Sequence, residues 1–191
     1  MRIEHIGDAT HSDLCLLTAH HFLKAPGGAK LALYEYQGFA TSEFPDVFLV
    51  GLGWTKLYEI KVSRSDFLAD QKKKCREKHC APRFWGYNTK MPLPPEKWLI
   101  QYPHLGIHRY YVCESGLILP EELPEGWGLY WVNGKKFFQK QESGKWRPDV
   151  HAERDIITHA FRRFASGDTT GILVNNYAEP QAGVVPHDLP L

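Results

Sequence analysis

The feature that most restricts this chain is a pair of nearly continuous apolar runs broken by charge. They lie in residues 44–74, FPDVFLVGLGWTKLYEIKVSRSDFLADQKKK. PDVFLVGLG and WTKLYEIKVS are rich in β-formers, and the Gly-rich stretch between them allows the chain to turn back. Strands with so little polar alternation belong to a sheet covered on both faces. Asp46, Glu59 and Lys61 are therefore expensive where they stand, because an unpaired buried charge is strongly disfavoured. Side chains alternate across a strand, so Leu57, Glu59 and Lys61 share one face and Tyr58, Ile60 and Val62 the other. The spacing predicts an apolar triplet buried against a helix, with Glu59 and Lys61 pointing into a cleft.

Around these runs the pattern alternates helix and strand. SDLCLLTAHHFLKAPGG predicts a helix capped by Ser12 or Asp13 and ended by Pro26-Gly27-Gly28. LALYEYQ, residues 31–37, reads as a strand. RSDFLADQKKKCREKHC reads as a helix with Ser63 or Ser65 as cap, Asp66 in its first turn, and Phe67 and Leu68 inward. MPLPPEKW, residues 91–98, is a Pro-rich loop. IHRYYVCES is a strand, and GWGLYWVNGKKFFQKQ a hairpin turning at Asn133-Gly134. VHAERDIITHAFRRFASGD is a C-terminal helix. Residues 1–177 make one α/β domain, and residues 178–191 form a Pro-rich tail expected to fray.

Composition narrows the function classes. With 43% hydrophobic and 13% aromatic residues among 191, the chain has enough material for a core. No run approaches the roughly 20 apolar residues of a membrane span, and MRIEHIGDATHSD lacks a signal-peptide core. Four irregularly spaced cysteines do not form a disulfide framework, so a reducing cytoplasm is the expected location. The net charge of +1 hides an uneven distribution. Residues 1–55 have three Lys/Arg against six Asp/Glu, residues 56–98 eleven against five, and residues 99–191 nine against eleven. The basic excess starts at the EIK strand, which suits a polyanionic partner.

The 12 residues between Asp46 and Glu59 suffice for a hairpin return, so the two carboxylates can meet at neighbouring strand ends. Two carboxylates, with the main-chain carbonyl of Ile60, make an oxygen site for a hard divalent cation such as Mg²⁺ or Mn²⁺. A lysine beside it can hold or deprotonate a water for attack on a phosphodiester. Taken alone, Glu59 and Lys61 also read as an ion pair on a half-exposed strand. The conjunction of Pro-Asp, the 12-residue gap and Glu-x-Lys favours the chemical reading.

Pro45-Asp46 … Glu59-Ile60-Lys61 resembles the PD-(D/E)XK motif of the restriction-endonuclease-like nucleases. The longer string YEIKVSRSDFLADQK resembles the MmcB-like family of DNA-repair nucleases, also found in phages and prophages. YYVCES and LPEELPEGWGLYWV resemble that family's continuation, so the likeness spans about residues 10–135. It implies a central four-stranded mixed sheet flanked by helices, here with an added C-terminal hairpin and helix. It also implies metal-dependent cleavage of DNA, with Asp46 and Glu59 as metal ligands and Lys61 as the catalytic lysine. A homodimer is compatible with such an activity. Many members carry an acid on the first helix, where this chain offers only Asp13 at the start and His20 and His21 beyond. Glu35 is a further candidate for the acidic cluster, which leaves the number of metals open.

Ser63 reads as a helix cap or a phosphate contact, and Arg64 as a phosphate clamp. Of Lys72, Lys73 and Lys74, one or two can reach a nucleic-acid backbone, and Arg83 sits among aromatic residues in RFWGY. Cys75, His79 and Cys80, with Cys113, raise a zinc site, but the spacing is that of ordinary thiols on a helix. A non-catalytic nucleic-acid binder that keeps the nuclease fold is the alternative function.

Overall fold

The structure is a computed structural model that describes residues 10–37, 44–71 and 105–175. The elements are α1 (His11–Lys24), β1 (Leu31–Tyr34), β2 (Val47–Val50), β3 (Thr55–Lys61), α2 (Arg64–Gln71) and β4 (His108–Glu114). After a 3-10 turn at Pro120–Glu122 come β5 (Gly128–Asn133), β6 (Lys136–Gln141), α3 (Val150–Ala165) and β7 (Ile172–Val174). The predicted contacts of Lys72, Lys73, Lys74 and Arg83, and the thiol pair Cys75 and Cys80, lie outside the described residues.

Among the described residues the strands form one seven-stranded mixed sheet in the order β6-β5-β4-β3-β2-β1-β7. The expected four strands are present as β1 to β4, but the sheet does not stop there. β1, β2 and β3 form an antiparallel meander, and β4 lies parallel to β3. The hairpin joins the same sheet, because β5 pairs in parallel with β4. On the far side β7 pairs antiparallel with β1. That three-residue strand has too few residues to show a period, and its partner is about 140 positions away, so sequence pattern does not reveal it. In the hairpin, Asn133 pairs with Lys136, so the turn residues are Gly134 and Lys135, one step beyond the expected pair.

Helices cover both faces, as the apolar strands require. α1 packs Leu14, Cys15, Ala19 and Leu23 against Val47, Leu49, Tyr58, Ile60 and Val112. Phe67 of α2 and Ala152, Ile156 and Ala160 of α3 pack on the other face, against Phe48, Leu57, Tyr111 and Trp127. β3 is therefore buried along both sides, Lys56 excepted. Two inward assignments fail. Val62 and Leu68 are each 48% exposed. β3 ends at Lys61, so the alternation that would bury Val62 stops before it. Leu68 follows the anchoring Phe67 by about 100° around a short helix, which turns it outward.

Local chemistry fixes where α1 begins. Thr10, not Ser12 or Asp13, is the cap: its side chain accepts from the Asp13 amide at 3.2 Å, and Asp13 Oδ2 accepts from the Thr10 amide at 3.1 Å. This reciprocal capping box starts the helix at His11 and occupies Asp13 with the cap. Glu153 of α3 holds the other end of β3. Its Oε1 accepts from Thr55 Oγ1 at 2.7 Å and from the Gly106 amide at 2.8 Å. Burial pushes its carboxyl above the usual glutamate range. Among the described residues no helix is long and apolar enough to cross a membrane.

Candidate functional site

Asp46 stands one residue before β2, and Val47 pairs with Tyr58 across β2 and β3. One step outward, Asp46 faces Glu59. Asp46 Oδ2 accepts a hydrogen bond of 2.7 Å from the Ile60 amide. In an extended strand a residue's N–H and C=O point to the same side, so the Ile60 carbonyl also looks toward Asp46. The register thus sets Asp46 opposite Glu59 at the end of the β2–β3 pair, with the Ile60 backbone beside Asp46. Two carboxylates and a backbone carbonyl are the donor chemistry of a hard cation such as Mg²⁺ or Mn²⁺.

Lys61 lies on the same face as Glu59, as alternation predicts, but not in an open cleft. Its Nζ is 3.3 Å from Glu59 Oε2 and 3.4 Å from Asp70 Oδ1. Asp66 Oδ2 is 3.9 Å away. Tyr111 of β4 donates its hydroxyl to Asp70 Oδ2 at 2.8 Å. Glu59, Lys61 and Asp70 are 2%, 3% and 1% exposed. Charges this deep are tolerated because they compensate one another and are hydrogen-bonded. α2 closes over them, and its Asp66 and Asp70, four apart, present one face to Lys61.

At the opposite side of Asp46 a second group converges. His11 Nε2 lies 3.3 Å from Asp46 Oδ2, and its Nδ1 lies 3.4 Å from Glu35 Oε1. Ser12 Oγ donates to the same Glu35 oxygen at 2.7 Å. Glu35 occupies the left-handed region with φ 44°, and its amide donates to the Asp46 carbonyl at 2.8 Å. For a side chain with a Cβ that conformation costs roughly 1–2 kcal/mol. The hydrogen bond that Asp46 accepts, reinforced by Glu35, holds the His11 imidazole above its ordinary pKa against the opposing effect of burial. Cys15, one helical turn on, has Sγ 3.6 Å from His11 Nδ1. Burial, with Asp46 and Glu35 beside it, pushes its thiol up, so it is protonated at neutral pH.

The sequence-predicted residues divide accordingly. Asp46, Glu59, Lys61, the Ile60 carbonyl and Glu35 all border one strand end. Ser63 is a cap, its Oγ accepting from the Asp66 amide at 3.2 Å. Arg64 is engaged: its guanidinium makes a bidentate pair with Glu122 at 2.6 and 2.5 Å, and reaches the Leu117 carbonyl at 3.1 Å. Sequence reasoning missed His11, Cys15, Asp66, Asp70 and Tyr111. Four-residue spacing on a helix was the available signal for both Asp66/Asp70 and His11/Cys15. Nothing local announces Tyr111.

No family model matches the chain. No curated protein matches it either. Among solved structures, a protein of unknown function from Silicibacter pomeroyi is similar in fold, with a TM-score of 0.54 and 19% identity. The alignment covers 86% of this chain and 96% of that one.

Proposed function

We propose that the protein is a divalent-metal-dependent nuclease that hydrolyses DNA phosphodiester bonds, with a restriction-endonuclease-like core made of α1, β1 to β4 and α2. The observation that carries this reading is the placement of Asp46 opposite Glu59 with Lys61 beside it. The mixed pairing of β1 to β4, within a sheet that continues to seven strands, supports the mixed core that the sequence resemblance implies. Asp46, Glu59 and the Ile60 carbonyl would hold Mg²⁺ or Mn²⁺, which when bound offsets charge on the phosphate and lowers the pKa of a water. Lys61 Nζ, fixed by Asp70 and Tyr111, orients a water toward the phosphorus and offers a positive charge to the developing oxyanion. Glu59, 3.3 Å from that ammonium, holds it in place.

The test is cleavage of plasmid and oligonucleotide DNA in Mg²⁺ or Mn²⁺. Asp46→Asn should lower the rate at least ~100-fold, with circular dichroism unchanged. Asn can still accept from the Ile60 amide, so the local fold has a partner. Undiminished cleavage by the wild type in excess EDTA would sink the mechanism. The deep burial of Glu59 and Lys61 favours a second reading, a nucleic-acid binder that keeps the nuclease fold without cleaving. Such a protein retards DNA in a gel without shortening it, whatever metal is present.

A further inference from the structure

His11 and Cys15 are four residues apart on α1, so they face the same way one turn from each other. His11 Nδ1 is 3.4 Å from Glu35 Oε1 and 3.6 Å from Cys15 Sγ. All three ligand atoms lie within 4.8 Å of one another. A tetrahedral divalent ion with bonds of about 2.0–2.3 Å has ligand–ligand edges of about 3.3–3.8 Å. Two of the three edges already have that length. The third is no longer than 4.8 Å, and the Glu35 side chain, 39% exposed, has room to shorten it.

The surroundings of the trio are those of a prepared metal ligand set. A ligating histidine commonly donates its other ring N–H to a carboxylate, which fixes the ring and its tautomer. Here the other nitrogen, Nε2, lies 3.3 Å from Asp46 Oδ2, and that oxygen is anchored by the Ile60 amide at 2.7 Å. Glu35 is steadied in turn by Ser12 Oγ at 2.7 Å. Cys15 is fully buried at the base, while the His11 and Glu35 side chains are 35% and 39% exposed. An ion can therefore enter from solvent and leave one corner open to it.

We infer that His11 Nδ1, Cys15 Sγ and Glu35 Oε1 form a second cation site, selective for a borderline transition metal such as Zn²⁺ or Co²⁺. Imidazole and thiolate favour such ions, and Mg²⁺ does not take sulfur. Binding forms metal–nitrogen, metal–sulfur and metal–oxygen bonds, and the thiol proton leaves to solvent with no change in oxidation state. Three protein ligands with an open fourth position are the arrangement of catalytic rather than structural zinc. The site touches the nuclease reading only through Asp46, whose carboxylate would orient His11 on one side and face Glu59 on the other.

The experiment titrates the full-length, chelator-stripped, reduced protein with Co²⁺ and follows the near-ultraviolet thiolate-to-cobalt charge-transfer band. The wild type should saturate at one equivalent, and a thousandfold excess of Mg²⁺ should leave the band in place. Cys15→Ala should lack the band, and His11→Gln, a change at the half-exposed surface, should bind Co²⁺ at least ~10-fold more weakly, the least that losing even an outer partner of a ligand costs. No band in the wild type, or an undiminished band in Cys15→Ala, overturns the inference. Co²⁺ binding with this signature and no DNA cleavage in any metal upholds the site and removes the nuclease reading. Cleavage without the signature does the reverse.

Discussion

Lys61 and His11 are both flanked by carboxylates, and their surroundings differ in the property that decides what those carboxylates can do. Around Lys61, Glu59 and Asp70 are almost completely out of water, and Tyr111 closes the set. Around His11, Glu35 and Asp46 keep 39% and 21% of their side-chain surface exposed. In the first cluster the interactions are strong because water is excluded, and losing one member strands the others. In the second they are screened, so a partner can be exchanged for an incoming ion at small cost to the fold. Asp46 borders both. The chain thus joins a dry half, where one ammonium serves two buried carboxylates, to a half that can admit a cation.

Lys61→Met separates the two most sharply. It leaves Glu59 and Asp70 buried without their cation and should destabilise the fold by about 3–5 kcal/mol, read from urea unfolding. An unchanged midpoint would mean that water reaches the cluster. Loss of DNA cleavage in that variant says little by itself, which makes Asp46→Asn the cleaner catalytic test.

Glu153 offers a buried acid whose partners are a hydroxyl and an amide rather than a cation. Its folded-state pKa is raised, so its protonated form favours the fold. Stability from this group is fully present below the ordinary value near 4.5 and falls as pH rises through the raised value. Glu153→Gln should keep the acceptor and remove that slope, leaving the variant at least as stable as the wild type at pH 7. A variant less stable at pH 7 would show that the ionised carboxylate is favoured there.

The smallest effect belongs to the exposed pair Arg64–Glu122. Arg64 holds the Glu122 carboxyl down to about 2, with help from the Leu119 amide. The contribution is present above the ordinary glutamate value and is lost as pH falls toward 2. Glu122→Gln should shift the melting temperature slightly, and the shift should vanish in high salt.

How much was readable in the sequence follows from how local each interaction is. Glu59, Lys61, Asp66 and Asp70 fall within twelve residues, and strand alternation followed by helical spacing nearly specifies their meeting. The register that sets Asp46 opposite Glu59 needed only a hairpin. His11 was not readable, because its role depends on a capping box at Thr10 and Asp13 that decides which residue begins α1. Glu35 was named only as a candidate: its left-handed backbone, which turns it toward His11, has no sequence mark such as glycine or asparagine. β7 and the outward turn of Leu68 depend on contacts far along the chain or on a few tens of degrees of helix rotation. Arg64 looked available because Glu122, its partner, is 58 residues away.

The pairing of β1 with β7 bears on the order in which the molecule assembles. Gly171 accepts the Tyr34 amide at 3.0 Å, and a side chain there would collide with the Tyr34 carbonyl. Leu31 aligns with Val174. During synthesis the outer edge of β1, next to Glu35, stays unpaired until residues near 174 have left the ribosome. Contacts this distant are also the slow ones to form once the chain is free. The helix-covered meander can be native while the edge beside Glu35 is still open, so competence at that corner should trail the appearance of secondary structure during refolding.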